Sequence, residues 1–507
     1  MQRRKFIQTG LAGIGSLSLM QEALALGVGS SGFATSAPEL NPLQGFTGAE
    51  VFDARDLRVE GRLPAGLRGV YYRNGPGVMA RASERYKHWF DGDGLVQAWT
   101  FGESGVQHKA RFVQTKKLKA EAKAGRFLLP AFGTSFADQS TRSPVRAADD
   151  VNTANTSVMK TGDGRLYALW EGGSAYELDP LSLATKGVRA WSDELAGMPF
   201  SAHPKVEADG TVWNFGTQSG QMVVYQISGQ GQVLRSEVFP APGHSAMVHD
   251  FAVSQRFLIF LLAPISLDMQ ALRSGDSMLD AMRWLGSEAT TVLVVDKADF
   301  TRRWVLEMPA AMVFHFGNAW DDGTQIRLDY VDARPLPAVN QDLRQIMAGV
   351  RPAHQPSTPR FMRISLGSNS AASPGRIELQ TRDESVEFPV VDPRVVAKAY
   401  RHVYYPTAID IGERWGFNGL MHLDLESGRR ERFCFGNDVV VEEHVLVPKP
   451  GSAKEGEGWL LGLGYDCKAR RSFASVFDAQ ALSAGPLARV WLPYWVTYGF
   501  HGKFYSA

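Results

Sequence analysis

The chain has 507 residues, with 54 Lys plus Arg against 53 Asp plus Glu and an apolar content of 44%. A net charge of +1 excludes a strongly basic nucleic-acid binder and an acidic solvating tail, and the apolar content excludes wholesale disorder. With only Cys434 and Cys467 there is no disulfide framework; the two could form one bridge or stay free thiols.

In chain order, residues 1–26 have signal-peptide anatomy: a basic start, a weakly apolar run, then the small-residue triplet Ala23-Leu24-Ala25. Gln8, Thr9, Gln21 and Glu22 make the run too polar for a good membrane span. Arg3-Arg4-Lys5-Phe6-Ile7 resembles a twin-arginine signal, which an export receptor reads; an ordinary Sec signal is the plainer alternative. Twin-arginine export implies a partner in that machinery, a folded cargo and a periplasmic destination. Residues 27–45, rich in Gly, Ser, Ala and Pro, are expected to be a linker, and 46–507 one folded domain.

From residue 46 onward, short β-branched and aromatic runs end at Gly, Asp or Pro. Leu166–Trp170, Gln221–Ile227, Arg256–Leu262, Thr291–Val295, Gln325–Tyr330, Phe361–Leu366, Gly416–Leu425 and Trp459–Gly464 read as strands. An apolar strand ending in Asp before a turn recurs at Asp179, Asp296, Asp424 and Asp478, the last two 54 residues apart and the earlier gaps about two such units. A period near 50 fits propeller blades better than a sandwich, although degenerate hairpin turns could mimic it. The one strong helix candidate is Leu267–Leu285, where Leu279, Met282 and Leu285 fall at helical spacing and Gly275 breaks the run. It reads either as a cap helix on the β core or, over 263–285, as a Met-rich lip that touches a membrane or an oily substrate.

Eleven histidines are present, none in HExxH and none at zinc-finger spacing with cysteine. His203, His249, His315 and His501 each sit among apolar, small or aromatic neighbours, at intervals that would place them on different blades. Inner propeller strands converge on one axis, so four such imidazoles can meet there. A four-imidazole site could hold iron, copper or zinc, and ligand chemistry alone does not choose among them. Asp91-Gly92-Asp93-Gly94 starts like a calcium loop but places Leu95 where a third oxygen ligand is needed, and reads as a turn.

A set of stretches now carries a resemblance. Arg73-Asn74-Gly75-Pro76, His88-Trp89-Phe90-Asp91-Gly92-Asp93-Gly94, Ala154-Asn155-Thr156, Leu169-Trp170-Glu171-Gly172, Ser201-Ala202-His203-Pro204, His249-Asp250-Phe251, Phe314-His315-Phe316-Gly317-Asn318-Ala319, Glu387-Phe388-Pro389, Glu443-His444-Val445-Leu446-Val447-Pro448 and Phe500-His501-Gly502 run in order from about residue 50 to the end. Together they resemble the carotenoid cleavage oxygenase family, which includes stilbene-cleaving enzymes.

The resemblance implies an all-β, seven-bladed propeller with a helical cap over the metal-bearing face. It implies one Fe(II) on His203, His249, His315 and His501, and Glu171, Glu387 and Glu443 behind three of them. Such carboxylates would accept the other imidazole N–H and fix tautomer and ring direction. The implied reaction is cleavage of a conjugated C=C bond with O2 into two carbonyl products. An apolar carotenoid or apocarotenoid is the expected substrate, a lignostilbene or phenylpropenoid the alternative. Phe112 stands where the stilbene cleavers tend to carry Tyr, which leans against them. His444 departs from a proline common in the family motif, beside Glu443. His244 and His402 are read as outside the site, and Phe132, Phe136, Phe314 and Trp320 as candidate tunnel residues or core.

Overall fold

A computed structural model describes residues 33–136, 143–353, 357–367 and 375–507; the expected signal and the first residues of the expected linker lie outside that range. Seven antiparallel sheets follow one another around a ring. From axis to rim, blade II runs Ser157–Lys160, Leu166–Leu169, Tyr176–Leu178 and Thr185–Val188. Blade III starts at the axis with Lys205–Val206, blade IV with Ala252–Val253, blade V with Met312–Asp321 and blade VI with His402–Thr407. The seventh sheet begins at Val439–Pro448 and ends at the rim with Arg58–Gly61, an early strand paired to Ala488–Trp491. Blade I takes Gly502–Ser506 as its innermost strand, paired to Gly69–Arg73. The ring is therefore closed by two swaps, an early strand in blade VII and a late one in blade I.

The core lies between blades. In Phe257–Leu262 of blade IV, Phe257, Ile259 and Leu261 join one cluster with residues of blade V, while Leu258, Phe260 and Leu262 join another with residues of blade III. Strand side chains alternate between faces, so a sheet covered on both sides needs an unbroken apolar run instead of an alternating one. The rim strand Arg376–Thr381, with no blade outside it, is mostly exposed.

The recurring Asp has a local physical role. Asp179 Oδ1 accepts the backbone N–H of Leu181 and Ser182, Asp296 Oδ1 that of Ala298, Asp424 Oδ1 those of Glu426 and Ser427, and Asp478 Oδ1 that of Gln480. The same Asx turn starts the next hairpin in four different blades.

The cap over one face differs from its sequence-based expectation. Leu267–Leu285 is not one helix. Strands Ile265–Leu267 and Met282–Trp284 pair and enclose two short helices, Met269–Arg273 and Met278–Ala281, N-capped by Asp268 and Ser277. Gly275, at φ +97°, separates them. A longer cap helix, Leu336–Met347, is flanked and entered by Pro335 and Pro337. Lys116–Ala124 forms another, N-capped by Thr115 and ended by Gly125 in the left-handed region.

Part of the expected linker is packed. Pro38–Gln44 is a 3-10 helix with Glu39, Leu40 and Leu43 buried. Glu39 pairs with Arg351 at 2.5 and 3.1 Å, and its carbonyl accepts Tyr498 Oη–H at 2.7 Å. Packing thus begins before residue 46, because two leucines and a paired carboxylate outweigh the Pro and Gly around them. Cys434 is exposed, Cys467 is buried, and both are free thiols.

Candidate metal centre

Each of the four histidines is delivered by an inner strand, three of them from just before its first residue. His203 precedes Lys205–Val206, His249 precedes Ala252–Val253, and His501 precedes Gly502–Ser506. His315 lies inside Met312–Asp321 at an irregularity in pairing between Val313 and Phe316. Such bulges re-aim a side chain without ending the strand. The ligand atoms of His203, His249, His315 and His501 lie within 4.8 Å of one another.

Three outer nitrogens face carboxylates. His249 Nδ1–H donates to Glu171, His315 Nδ1–H to Glu387 at 2.5 Å, and His501 Nδ1–H to Glu443 at 2.9 Å. An ionised carboxylate only accepts, so each bond fixes the proton on Nδ1 and leaves Nε2 with a lone pair. His203 has no such partner among the described residues; its Nδ1 is 4.0 Å from Asp250, whose carboxylate is engaged by Lys205 and by the N–H groups of Phe251 and Phe316.

The inner nitrogens of His315 and His501 then favour a cation between them. His315 Nε2 and His501 Nε2 are 3.1 Å apart, and both are lone-pair atoms once Nδ1 carries the proton. His203 Nε2 is 2.9 Å from His249 Nε2, and with its own Nδ1 unfixed it can donate there as the Nε2–H tautomer or turn its lone pair to the same centre. Two facing lone pairs repel unless a positive centre lies between them, and neutral imidazole is a ligand for iron, copper and zinc. Burial, followed by the three neighbouring imidazoles, pushes His203 well below the usual histidine range, which keeps it neutral and able to ligate. The donor set therefore fits a metal ion.

Behind His501 the support is two layers deep. Glu443 sits at a second pairing irregularity, between Val441 and His444. It also accepts from Gly502 N–H at 2.8 Å and Arg73 at 3.0 Å, while Arg73 reaches Glu442 at 2.7 Å. Burial raises the Glu443 carboxyl, but His501, Arg73 and Gly502 outweigh it and hold it at about 2. His444 does not disturb this. It is buried with Nδ1 on the Glu442 carbonyl and Nε2 on Ser475 Oγ, both at 2.8 Å.

The remaining expectations sort clearly. His244 pairs with Glu288, and His402 with His422. Asp91 accepts from Gly133 N–H and Thr134, and Asp93 pairs with Lys117, so both carboxylates of the turn are spent on structure. Phe314 lies edge-on to His249 at 5.5 Å and belongs with Phe90, Phe132, Met247 and Met312 to an apolar cluster under the cap. Phe136 packs instead with Tyr86 and Phe127, and Trp320 lies under Arg327, so neither belongs to that cluster. Phe112 is in the main core, edge-on to Phe46, so its being Phe instead of Tyr says little about the substrate. Sequence reasoning gave no role to Arg73, Glu442 or Phe388. Phe388, at φ +50°, leans on His315 at 4.9 Å and His501 at 5.4 Å. Its position straight after Glu387 was the available signal.

Fold and centre together define a seven-bladed propeller built around a four-histidine site of the kind that holds a metal ion. The family model described as RPE65, retinal pigment epithelial membrane protein, matches residues 46–506. The apocarotenoid-15,15'-oxygenase of Synechocystis sp. is 31% identical over 88% of this chain and 92% of its own length. Isoeugenol monooxygenase of Pseudomonas putida is 28% identical, over 90% and 95%. A crystal structure of cobalt-substituted Synechocystis apocarotenoid oxygenase superposes with a TM-score of 0.83 at 29% identity, covering 94% of this chain and all of that one. The chain belongs to the RPE65/carotenoid cleavage oxygenase family, and its relatives place it among the oxygenases.

Proposed function

We propose that this chain is an Fe(II)-dependent dioxygenase that cleaves a conjugated C=C bond of an apolar carotenoid or apocarotenoid into two carbonyl products, one O2 oxygen going to each. The observation that carries the reading is the four-histidine cluster with three carboxylate-fixed tautomers beneath an apolar roof of Phe90, Phe132, Phe314, Met247 and Met312. His203, His249, His315 and His501 would hold the iron, with Glu171, Glu387 and Glu443 supporting them. Bound iron would supply activation of O2. The chain's own residues bind and orient the polyene and exclude water. Apolar burial at about 25 cal/mol per Å² can supply most of the binding, and holding one double bond at the centre selects the scissile bond. No protein nucleophile or proton shuttle is needed.

A lignostilbene or phenylpropenoid substrate is the second reading, favoured by the 28% identity to isoeugenol monooxygenase and to a lignostilbene dioxygenase of Sphingomonas paucimobilis. Mass spectrometry of products decides. The iron-loaded chain is incubated in air with an apocarotenal and, separately, a 4-hydroxystilbene. Aldehydes from the polyene support the first reading and their masses locate the bond; aldehydes from the stilbene alone replace it with the second. Twin-arginine export to the periplasm belongs to the same proposal, and changing Arg3-Arg4 to Lys-Lys should retain the protein in the cytoplasmic fraction. No helix among the described residues is long and apolar enough to cross a membrane. Peripheral contact through 263–285 is supported by the exposed Met269 and Met278, and co-sedimentation with liposomes tests it.

A further inference from the structure

The strand that carries His315 is bulged twice against its neighbour Gln325–Ala333. Between the pairs Val313–Asp332, Phe316–Tyr330 and Ala319–Leu328, two residues of the inner strand twice oppose one. Phe314 and His315 face Val331, and Gly317 and Asn318 face Asp329. A bulge takes backbone groups out of the ladder, and a buried N–H then needs another acceptor.

Two carboxylates supply it, one on each side of Gly317. Asp250 Oδ2, from blade IV, accepts Phe316 N–H at 2.9 Å, and Asp329 Oδ1 accepts Asn318 N–H at 3.0 Å. The Asp329 carboxylate lies flat on the second bulge: a Cβ at Gly317 would stand 2.1 Å from its Oδ2. The Tyr400 hydroxyl donates to the same Oδ1 and holds the carboxylate from behind. Asn318 extends the network through its side chain, donating to the carbonyls of Val395 and Lys398 at 2.8 and 3.2 Å and accepting Ala397 N–H at 3.0 Å. That segment follows Glu387, the partner of His315. Asp329 is 1% exposed, and no Lys or Arg pairs with it among the described residues. Burying a carboxylate without a cation is costly, so strand stability alone does not account for this one.

We propose that Asp329 is a positioning residue of the metal centre: by accepting Asn318 N–H it holds the second bulge, and with Asp250 on Phe316 N–H it fixes the direction in which His315 presents Nε2. The inference rests on the reading of the four histidines as metal ligands. Co(II), whose d–d absorption reports its coordination geometry, is the probe, and its affinity is measured on the full chain by competition with a chelator. Asp329→Asn keeps an oxygen for Asn318 N–H and should match the wild type in affinity and spectrum. Asp329→Ala leaves that N–H unmatched and should bind Co(II) about 10- to 100-fold more weakly, the range for partners behind a ligand, with a shifted d–d band. Tyr400→Phe keeps the carboxylate but frees it to turn, and should shift the band with a smaller loss of affinity. Asp321→Ala strips the acceptor of Arg256 and Gly323 N–H at the far end of the same strand. It should lower the urea midpoint of the metal-free protein and leave both Co(II) readouts unchanged. Wild-type binding by Asp329→Ala, an Asp329→Asn as weak as Asp329→Ala, or an equal loss in Asp321→Ala would each overturn the proposal. Should Asp329→Ala fail to fold, Tyr400→Phe decides: a shifted band supports the proposal and an unchanged one overturns it. A wild type that takes up no Co(II) removes the metal reading and the proposal with it. Equal, tight binding by the wild type and every variant leaves that reading standing and overturns the proposal alone.

Discussion

Glu443 is the single residue on which most of the centre's geometry converges. It accepts from His501, Gly502 and Arg73 at once. Glu443→Gln keeps the shape but can donate where the carboxylate only accepts. It should weaken metal binding by about 10- to 100-fold, the usual range for a carboxylate behind a ligating histidine, as read by competition with a chelator. The same residue sets an acid limb. Its folded carboxyl lies at about 2, below its ordinary value of 4.5. The stability it contributes is therefore complete above about pH 4.5 and is lost as pH falls toward 2. Urea midpoints of the metal-free protein should fall over that window, and Glu443→Gln should flatten the fall. His249→Ala should lose bound metal and activity while keeping its far-UV circular dichroism; full activity in that variant would remove His249 from the proposed ligand set. The positions that cluster, four histidines with a glutamate behind three of them, are those that motif context singles out. The role of Arg73 is not legible there, because it depends on a contact across 370 residues that no local pattern announces.

Among the elements, the strand Val439–Pro448 of blade VII and the strand Gly69–Arg73 of blade I meet at the ring's seam. The buried guanidinium of Arg73 bridges them through Glu442 and Glu443. Arg73→Leu would leave two buried carboxylates without their cation, a loss that typically costs about 3–5 kcal/mol. A lower unfolding midpoint measured with the metal removed would separate this structural cost from loss of metal. Strand boundaries followed from apolar runs ending at Asp or Gly, and Gln221–Ile227 falls where the sequence places it. The cap was harder to read. The Leu267–Leu285 run has helical spacing, but Gly275 and two new N-caps divide it, and pairing of its ends into a hairpin is a tertiary choice. Leu336–Met347 escaped notice because no side chain caps its N-terminus and prolines bracket its first residue. The irregularities that aim His315 and Glu443 leave no mark in a single sequence.

For the whole molecule, the two strand swaps make every blade depend on the ring being shut. Deleting residues 502–507 removes the innermost strand of blade I, together with the N–H that supports Glu443. The truncated chain should be expressed in insoluble form or melt without a cooperative transition, even though all four histidines remain in its sequence. The order of the ligands along the chain adds a constraint in time. His203, His249 and His315 leave the ribosome well before His501, which lies immediately before the strand that closes blade I. Until that last strand is made, the nascent chain thus offers three of the four imidazoles, on the adjacent blades III, IV and V. A metal held by all four histidines would therefore mark a chain whose closing strand is in place.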